Sequence, residues 1–130
     1  MQALNPSNAL GWYFDGAGLL RKATESDTAG LDAIAALKRA SGLNPSSDRI
    51  HFMLAKAYQQ AREDDLAIRE LKAAIRLNPQ HERAHYVLGR LYQKCGQTAL
   101  AKQELAIHSK IKLQDRTAQY RSLLITSRNP

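Results

Sequence analysis

The tripeptide Leu-Asn-Pro occurs at 43–45 and again 34 residues later at 77–79, and the residues around it recur with the same period. Setting 48–81 over 82–115 places His51 on His85, Leu54 on Leu88, Tyr58 on Tyr92, Ala67 on Ala101 and Leu71 on Leu105. An earlier copy aligns by its second half, with Ala33, Leu37, Ala40 and Pro45 where the next has Ala67, Leu71, Ala74 and Pro79. A fixed period of this length restricts the fold severely. Each copy is one supersecondary unit that cannot bury its apolar face alone, so neighbouring copies must stack.

Each unit reads as two amphipathic helices. In 48–60 the residues Phe52, Leu54, Ala55, Ala57 and Tyr58 recur at helical spacing. Asp64 offers an N-cap for a second helix marked by Leu66, Ala67, Leu71, Ala74 and Ile75, and Asn78-Pro79 ends it. Short connections force the two helices to pack antiparallel, and Ala55, Ala67 and Ala74 let their backbones approach. No Gly or Pro appears from 97 to 129, so the last helix is expected to run from Thr98 to about 126.

The pattern resembles the tetratricopeptide repeat (TPR), W-x2-L-G-x2-Y followed by A-x3-F-x2-A and P. The second unit matches it at Leu54, Ala55, Tyr58, Ala67, Leu71, Ala74 and Pro79, the third at Leu88, Gly89, Tyr92, Ala101 and Leu105. His51 and His85 stand at the Trp position, His108 replaces the last Ala and Leu113 the Pro. In the first unit Trp12, Gly16 and Leu19 fit, with a turn five residues too long. The resemblance covers roughly residues 4–115. It implies an all-α superhelical solenoid of antiparallel helix pairs forming a single domain over 1–130. Repeats are expected at about 8–47, 48–81 and 82–115, with a C-terminal helical extension at 116–127. The phase of Leu4-Asn5-Pro6 suggests that the chain starts within a longer array.

Residues 81–85, His-Glu-Arg-Ala-His, spell the two-histidine motif of zinc proteases. A zinc site needs a third protein ligand and an open position for water. The positions where one subgroup would carry Gly and His hold Leu88 and Leu91, and Glu104 is expected on the wrong side of the helix pair. The repeat register accounts for both histidines, His81 as a link residue and His85 as a half-buried packing residue. No metal, cofactor or catalytic residue is assigned, and an enzyme is not expected. The lone Cys95 excludes a disulfide scaffold.

The first helices carry the residues of interest. Arg49, Phe52, Lys56, Gln59 and Gln60 form one stripe, and Arg83, Tyr86, Arg90, Gln93 and Lys94 repeat it. The family resemblance implies that such helices line a concave face where partners bind. Arg pairs bidentately with carboxylates, rings stack, and Gln bonds peptide groups. The expected ligand is therefore an extended acidic peptide, held by Tyr13, Arg49, Phe52, Lys56, Gln59, Arg83, Tyr86, Arg90, Gln93 and Lys94. Tyr13, Ala17, Met53 and Val87 stand where a carboxylate-clamp subgroup has its own Lys, Asn and Arg residues, so that clamp is not carried over. The net charge of +7 suits an acidic partner. The alternatives are an accessory or scaffolding domain of a larger protein, or weak RNA or single-stranded DNA binding. No membrane association is expected, and the start, without a basic and then apolar leader, points to the cytoplasm. Trp12, Tyr13 and Phe14 are consecutive, so one interface cannot bury all three rings. Trp12 is expected against its paired helix, Tyr13 in the groove and Phe14 on the side of a preceding unit, where it would support self-association through this helix.

Overall fold

The computed structural model describes residues 6–23 and 27–128, and among them every regular element is a helix. Six helices follow one another: α1 (Pro6–Lys22), α2 (Asp27–Leu43), α3 (Asp48–Gln60), α4 (Asp64–Leu77), α5 (Glu82–Lys94) and α6 (Thr98–Arg128). They pack as hairpins, α1 on α2, α3 on α4 and α5 on α6, which are the three repeats. The chain divides into two compact units, Met1–His81 and Glu82–Pro130.

In the first unit α2 also packs on α3, and the two hairpins share a core. Ala33, Leu37, Ala40, Leu54, Ala55, Ala67, Leu71 and Ala74 are all at most 3% exposed. These are the positions that carry the 34-residue register. In the second unit Leu88 and Ala101 are buried at the positions of Leu54 and Ala67, together with Ala84, Leu91 and Tyr92. Small residues on one helix receive large ones from the other. A Cβ on Gly89 would lie 2.8 Å from Leu105, and one on Gly16 would lie 2.5 Å from Leu37. A Cβ at either position would displace the facing leucine at the present helix spacing.

That shared contact fixes the register of the first repeat, since Gly16 meets Leu37 as Gly89 meets Leu105. The five extra residues lie between them. α2 takes up most of this length, starting at Asp27, ahead of Gly30, the register equivalent of Asp64. The Leu4-Asn5 phase and turn residues 24–26 lie outside the described residues.

The turns inside the second and third repeats share one geometry. Glu63 N–H donates to the Tyr58 carbonyl at 2.9 Å, and Gln97 N–H donates to that of Tyr92 at 2.8 Å. Arg62 and Gly96 occupy the left-handed region at φ 62° and 78°. This is the six-to-one closure that satisfies orphan carbonyls at a helix C-terminus. Ser47 caps α3, its Oγ accepting from Ile50 N–H at 3.3 Å. Asn78 ends α4 in an extended conformation. Leu113 provides no such stop, and α6 continues without interruption to Arg128. From Lys112 to Thr126 every side chain of α6 is exposed, including Leu113, Tyr120, Leu123, Leu124 and Ile125. Among the described residues no helix is long and apolar enough to cross a membrane.

Candidate functional site

The histidines at the Trp position are built into the hairpins. His51 lies on α3 with its Nδ1 2.6 Å from the Glu70 carboxylate of α4 and its Nε2 2.8 Å from the Pro45 carbonyl. Both neighbours are acceptors, so a ring that donates to both must carry two protons. The bond to Glu70 raises the His51 pKa above its ordinary 6.5; burial opposes this, and the Pro45 carbonyl adds to it. In the second unit His85 Nδ1 lies 2.6 Å from Glu104 of α6. Glu70 and Glu104 are themselves 34 residues apart, so the pair is a repeated device.

This corrects the expectation for Glu104, which was placed on the wrong side of the pair. Its position on α6 corresponds to Glu70 on α4, which faces the first helix of its own hairpin. His85 is buried at 4% exposure rather than half-buried. His81 has different partners: its Nε2 is 3.9 Å from Asp48 and its ring is 4.8 Å from that of Phe52. The two histidines of the His-Glu-Arg-Ala-His stretch thus serve separate contacts. Among the described residues no three His, Cys, Asp or Glu side chains are grouped as metal ligands would be. The first repeat uses different chemistry at this place. Trp12 stands where the others have His, Ala36 where they have Glu, and the Arg39 guanidinium sits 5.0 Å from the indole centroid.

The stripe expected to bind peptide is uneven. On α5, Arg83, Tyr86, Arg90, Gln93 and Lys94 are all exposed, Tyr86 at 45%. Arg90 donates to Gln93 Oε1 at 3.4 Å, a weak contact along one face. On α3, Arg49 and Gln60 are exposed, and Lys56 and Gln59 are half-buried. Phe52 departs from expectation. It is only 4% exposed, because the chain leaving α4 folds His81 against its ring. It presents no open aromatic surface, and Lys56 Nζ lies 5.9 Å from its centroid. Tyr13 is likewise half-buried, packed against Ala9, Ala40 and Ile50. Phe14 is 62% exposed and turns towards the start of α3, where it lines a cleft with Arg49 and Ile50 rather than lying only on the outer side of α1. Tyr58 and Tyr92, on the opposite stripe, are buried, and burial raises the Tyr58 pKa above 10.0.

The acidic residues of these helices are engaged elsewhere. Asp48, the one acid in α3, accepts from Asn78 Nδ2 at 3.0 Å and neighbours His81. Glu82, the one acid in α5, is 3.3 Å from His108 Nε2 and 3.9 Å from Lys112 Nζ. Sequence reasoning missed Glu70, Glu104, Asp48 and Glu82 as organisers. The signal was present, since Glu70 and Glu104 each follow their histidine by 19 residues, and Asp48 and Glu82 each open their helix.

Two sequence models of the tetratricopeptide repeat match the chain, one over residues 65–124 and one over 48–81. Together they span more than half of it. A search of curated proteins gave no match. Among solved structures, MamA is similar with a TM-score of 0.77 at 22% identity, over 87% of this chain and 63% of that one. The chain thus spans less than two thirds of the length of MamA. The second TPR of Spaghetti (RPAP3), bound to the HSP90 peptide SRMEEVD, gives a TM-score of 0.74 at 19% identity, over 82% of this chain and 94% of that one. The Yersinia enterocolitica type III secretion chaperone SycD, in complex with a peptide of the translocator YopD, gives 0.66 at 16%, over 85% and 88%. At these identities the likeness speaks for the fold alone. With the repeat models matched over 48–81 and 65–124, the glycine-to-leucine contact shared by the first and third hairpins and the same fold in these structures, the chain belongs to the tetratricopeptide repeat family.

Proposed function

We propose that the chain is a protein-interaction module whose first-helix faces bind extended acidic peptide, and that it is not an enzyme. One observation carries this reading. The only acid of α3 and the only acid of α5 are held at the helix starts by Asn78 and His81 and by His108 and Lys112, while the cations of both helices line the other stripe. The acids of both helices are thus held by partners outside their own helix. Charged ligands of opposite sign are attracted to such rows, and Arg offers a carboxylate two parallel hydrogen bonds. The peptide bound by the Spaghetti TPR, SRMEEVD, contains three acidic residues, which supports the choice of ligand.

The test is fluorescence anisotropy with an acidic nonapeptide, GEDEAEDEG, and its Gln/Asn counterpart. The acidic peptide is expected to bind and the neutral one not. Arg83→Glu with Arg90→Glu should weaken binding at least about tenfold with helicity unchanged, since losing even one charge-assisted bond costs about that much. Added salt should also weaken it. Equal affinity for both peptides, or an unaffected double variant, would refute the reading.

A further inference from the structure

At the start of α1 the register changes character. Leu10 occupies the position of Arg49 and Arg83, and Phe14 that of Met53 and Val87. The first row therefore starts with an apolar residue where the next two start with arginine, and Phe14 enlarges a position that is apolar in all three. In the structure Leu10 is 53% exposed and Phe14 62%. They wall a cleft of about 170 Å³ between the starts of α1 and α3, with Ile50 on its inner side and Arg49 and Asn44 at its rim. Ile50 belongs to a core cluster with Ala9 and Ala40, against which Tyr13 packs, so the cleft has a rigid base. Tyr13 meets Phe14 edge-on at 5.4 Å between centroids, a favourable aromatic geometry. Apolar cavities of about 150 Å³ lined by such residues are large enough for benzene.

Charge decides what enters. Among the described residues no carboxylate pairs with Arg49, and the neighbouring Asp48 is engaged by Asn78 and His81. A purely apolar ligand would leave the guanidinium without a counter-charge. We propose that this cleft anchors one large apolar side chain of an acidic peptide, and that Arg49 takes the carboxylate next to it. The inference rests on the acidic-peptide reading and adds to it: the ligand must carry a leucine-like residue flanked by acids, not acids alone.

The experiment compares GEDELEDEG with GEDEAEDEG, end-capped and fluorescently labelled, against the full chain and the Leu10→Ser/Phe14→Ser variant. Both substituted side chains are exposed, so the core stays filled. The leucine peptide is expected to bind wild type at least about tenfold tighter than the alanine peptide. The double variant should lose that preference while holding the alanine peptide as well as wild type does. If the alanine peptide binds and leucine adds nothing, this inference falls and acidic-peptide binding stands. If neither binds, both fall. A preference that survives in the variant puts the anchor elsewhere and overturns the proposal. Sedimentation at the assay concentrations covers the remaining occupant. A wild-type dimer that Leu10→Ser/Phe14→Ser abolishes would mean that a second copy fills the cleft, which also overturns it.

Discussion

The second and third repeats have the same register, the same histidine–glutamate pair and the same turn, yet they treat equivalent aromatic residues in opposite ways. Phe52 is 4% exposed and Tyr86 45%. The cause lies after the second helix, not in the first. α4 stops at Asn78-Pro79, and the link that follows brings His81 onto the Phe52 ring at 4.8 Å. The residue equivalent to His81 is Asp115, which sits inside the uninterrupted α6 and is carried away along it. Tyr86 then lies beside the His108 ring, at 5.1 Å, and stays open to solvent. A repeat thus encodes its own hairpin locally, whereas the accessibility of its first-helix face depends on whether the chain turns back over it.

The largest test of this contrast is the pair Phe52→Ala and Tyr86→Ala. Removing a buried ring leaves a cavity, so Phe52→Ala should cost about 3–5 kcal/mol. Tyr86→Ala should cost less than about 1 kcal/mol, as expected of a mostly exposed side chain. Urea unfolding of both variants measures the difference. Similar losses would mean that the link over Phe52 contributes nothing to its burial.

Restoring the missing stop is the next test. Leu113 occupies the position of Pro79. Leu113→Pro removes a helical hydrogen bond and costs about 3 kcal/mol in a helix interior. Here that cost should fall on the tail alone, because side chains 112–126 are exposed. Far-ultraviolet dichroism should lose helix while the urea midpoint moves little. A collapsed midpoint would show that the tail supports the α5–α6 hairpin.

Much of this architecture was legible because it is local and periodic. Leu54, Leu71 and Leu88 announce their burial by spacing alone, and Thr98 begins its helix where the pattern places it, whereas Asp64, expected as an N-cap, is the first residue inside α4 and Glu63 takes the cap position without a side-chain bond. What escaped was any feature set by a side chain meeting a partner across the hairpin. Phe52 and Tyr86 are indistinguishable by position, and only the geometry of residues 78–81 separates them. Glu104 was assigned the wrong face because its partner His85 was considered as a zinc ligand and not as half of a repeated pair. The cleft beside Phe14 was hidden for a related reason: its wall and its rim, Leu10 and Arg49, lie 39 residues apart.

The histidine pair predicts a pH dependence of smaller size. The folded chain raises the His51 pKa above 6.5, so folding binds a proton more tightly than the unfolded chain does. Its stabilisation is complete below about pH 6.5 and is lost as pH rises through the folded value. With the His51 side chain 14% exposed, the contribution is about 1 kcal/mol, below the usual range for charged hydrogen bonds. Melting temperatures from pH 5 to 9 should decline more steeply for wild type than for Glu70→Gln, which lacks the charge that favours the doubly protonated ring. Parallel curves would remove the pair from the account.

The smallest effect isolates the turn. Arg62 and Gly96 occupy equivalent left-handed positions, at φ 62° and 78°, within the same six-to-one closure. An L-residue held there is about 1–2 kcal/mol above its preferred conformations. Glycine escapes that strain but loses about 0.5–1 kcal/mol more backbone entropy on folding. The balance predicts that Arg62→Gly stabilises by about 0.5 kcal/mol and that Gly96→Ala destabilises by a similar amount. The second substitution is sterically clean, since a Cβ at Gly96 would meet nothing within 4 Å. Opposite signs of equal size would mean that the two turns differ only in strain. If Arg62→Gly instead destabilises, the arginine side chain must make up for its backbone, and the two repeats are not equivalent even where their backbones coincide.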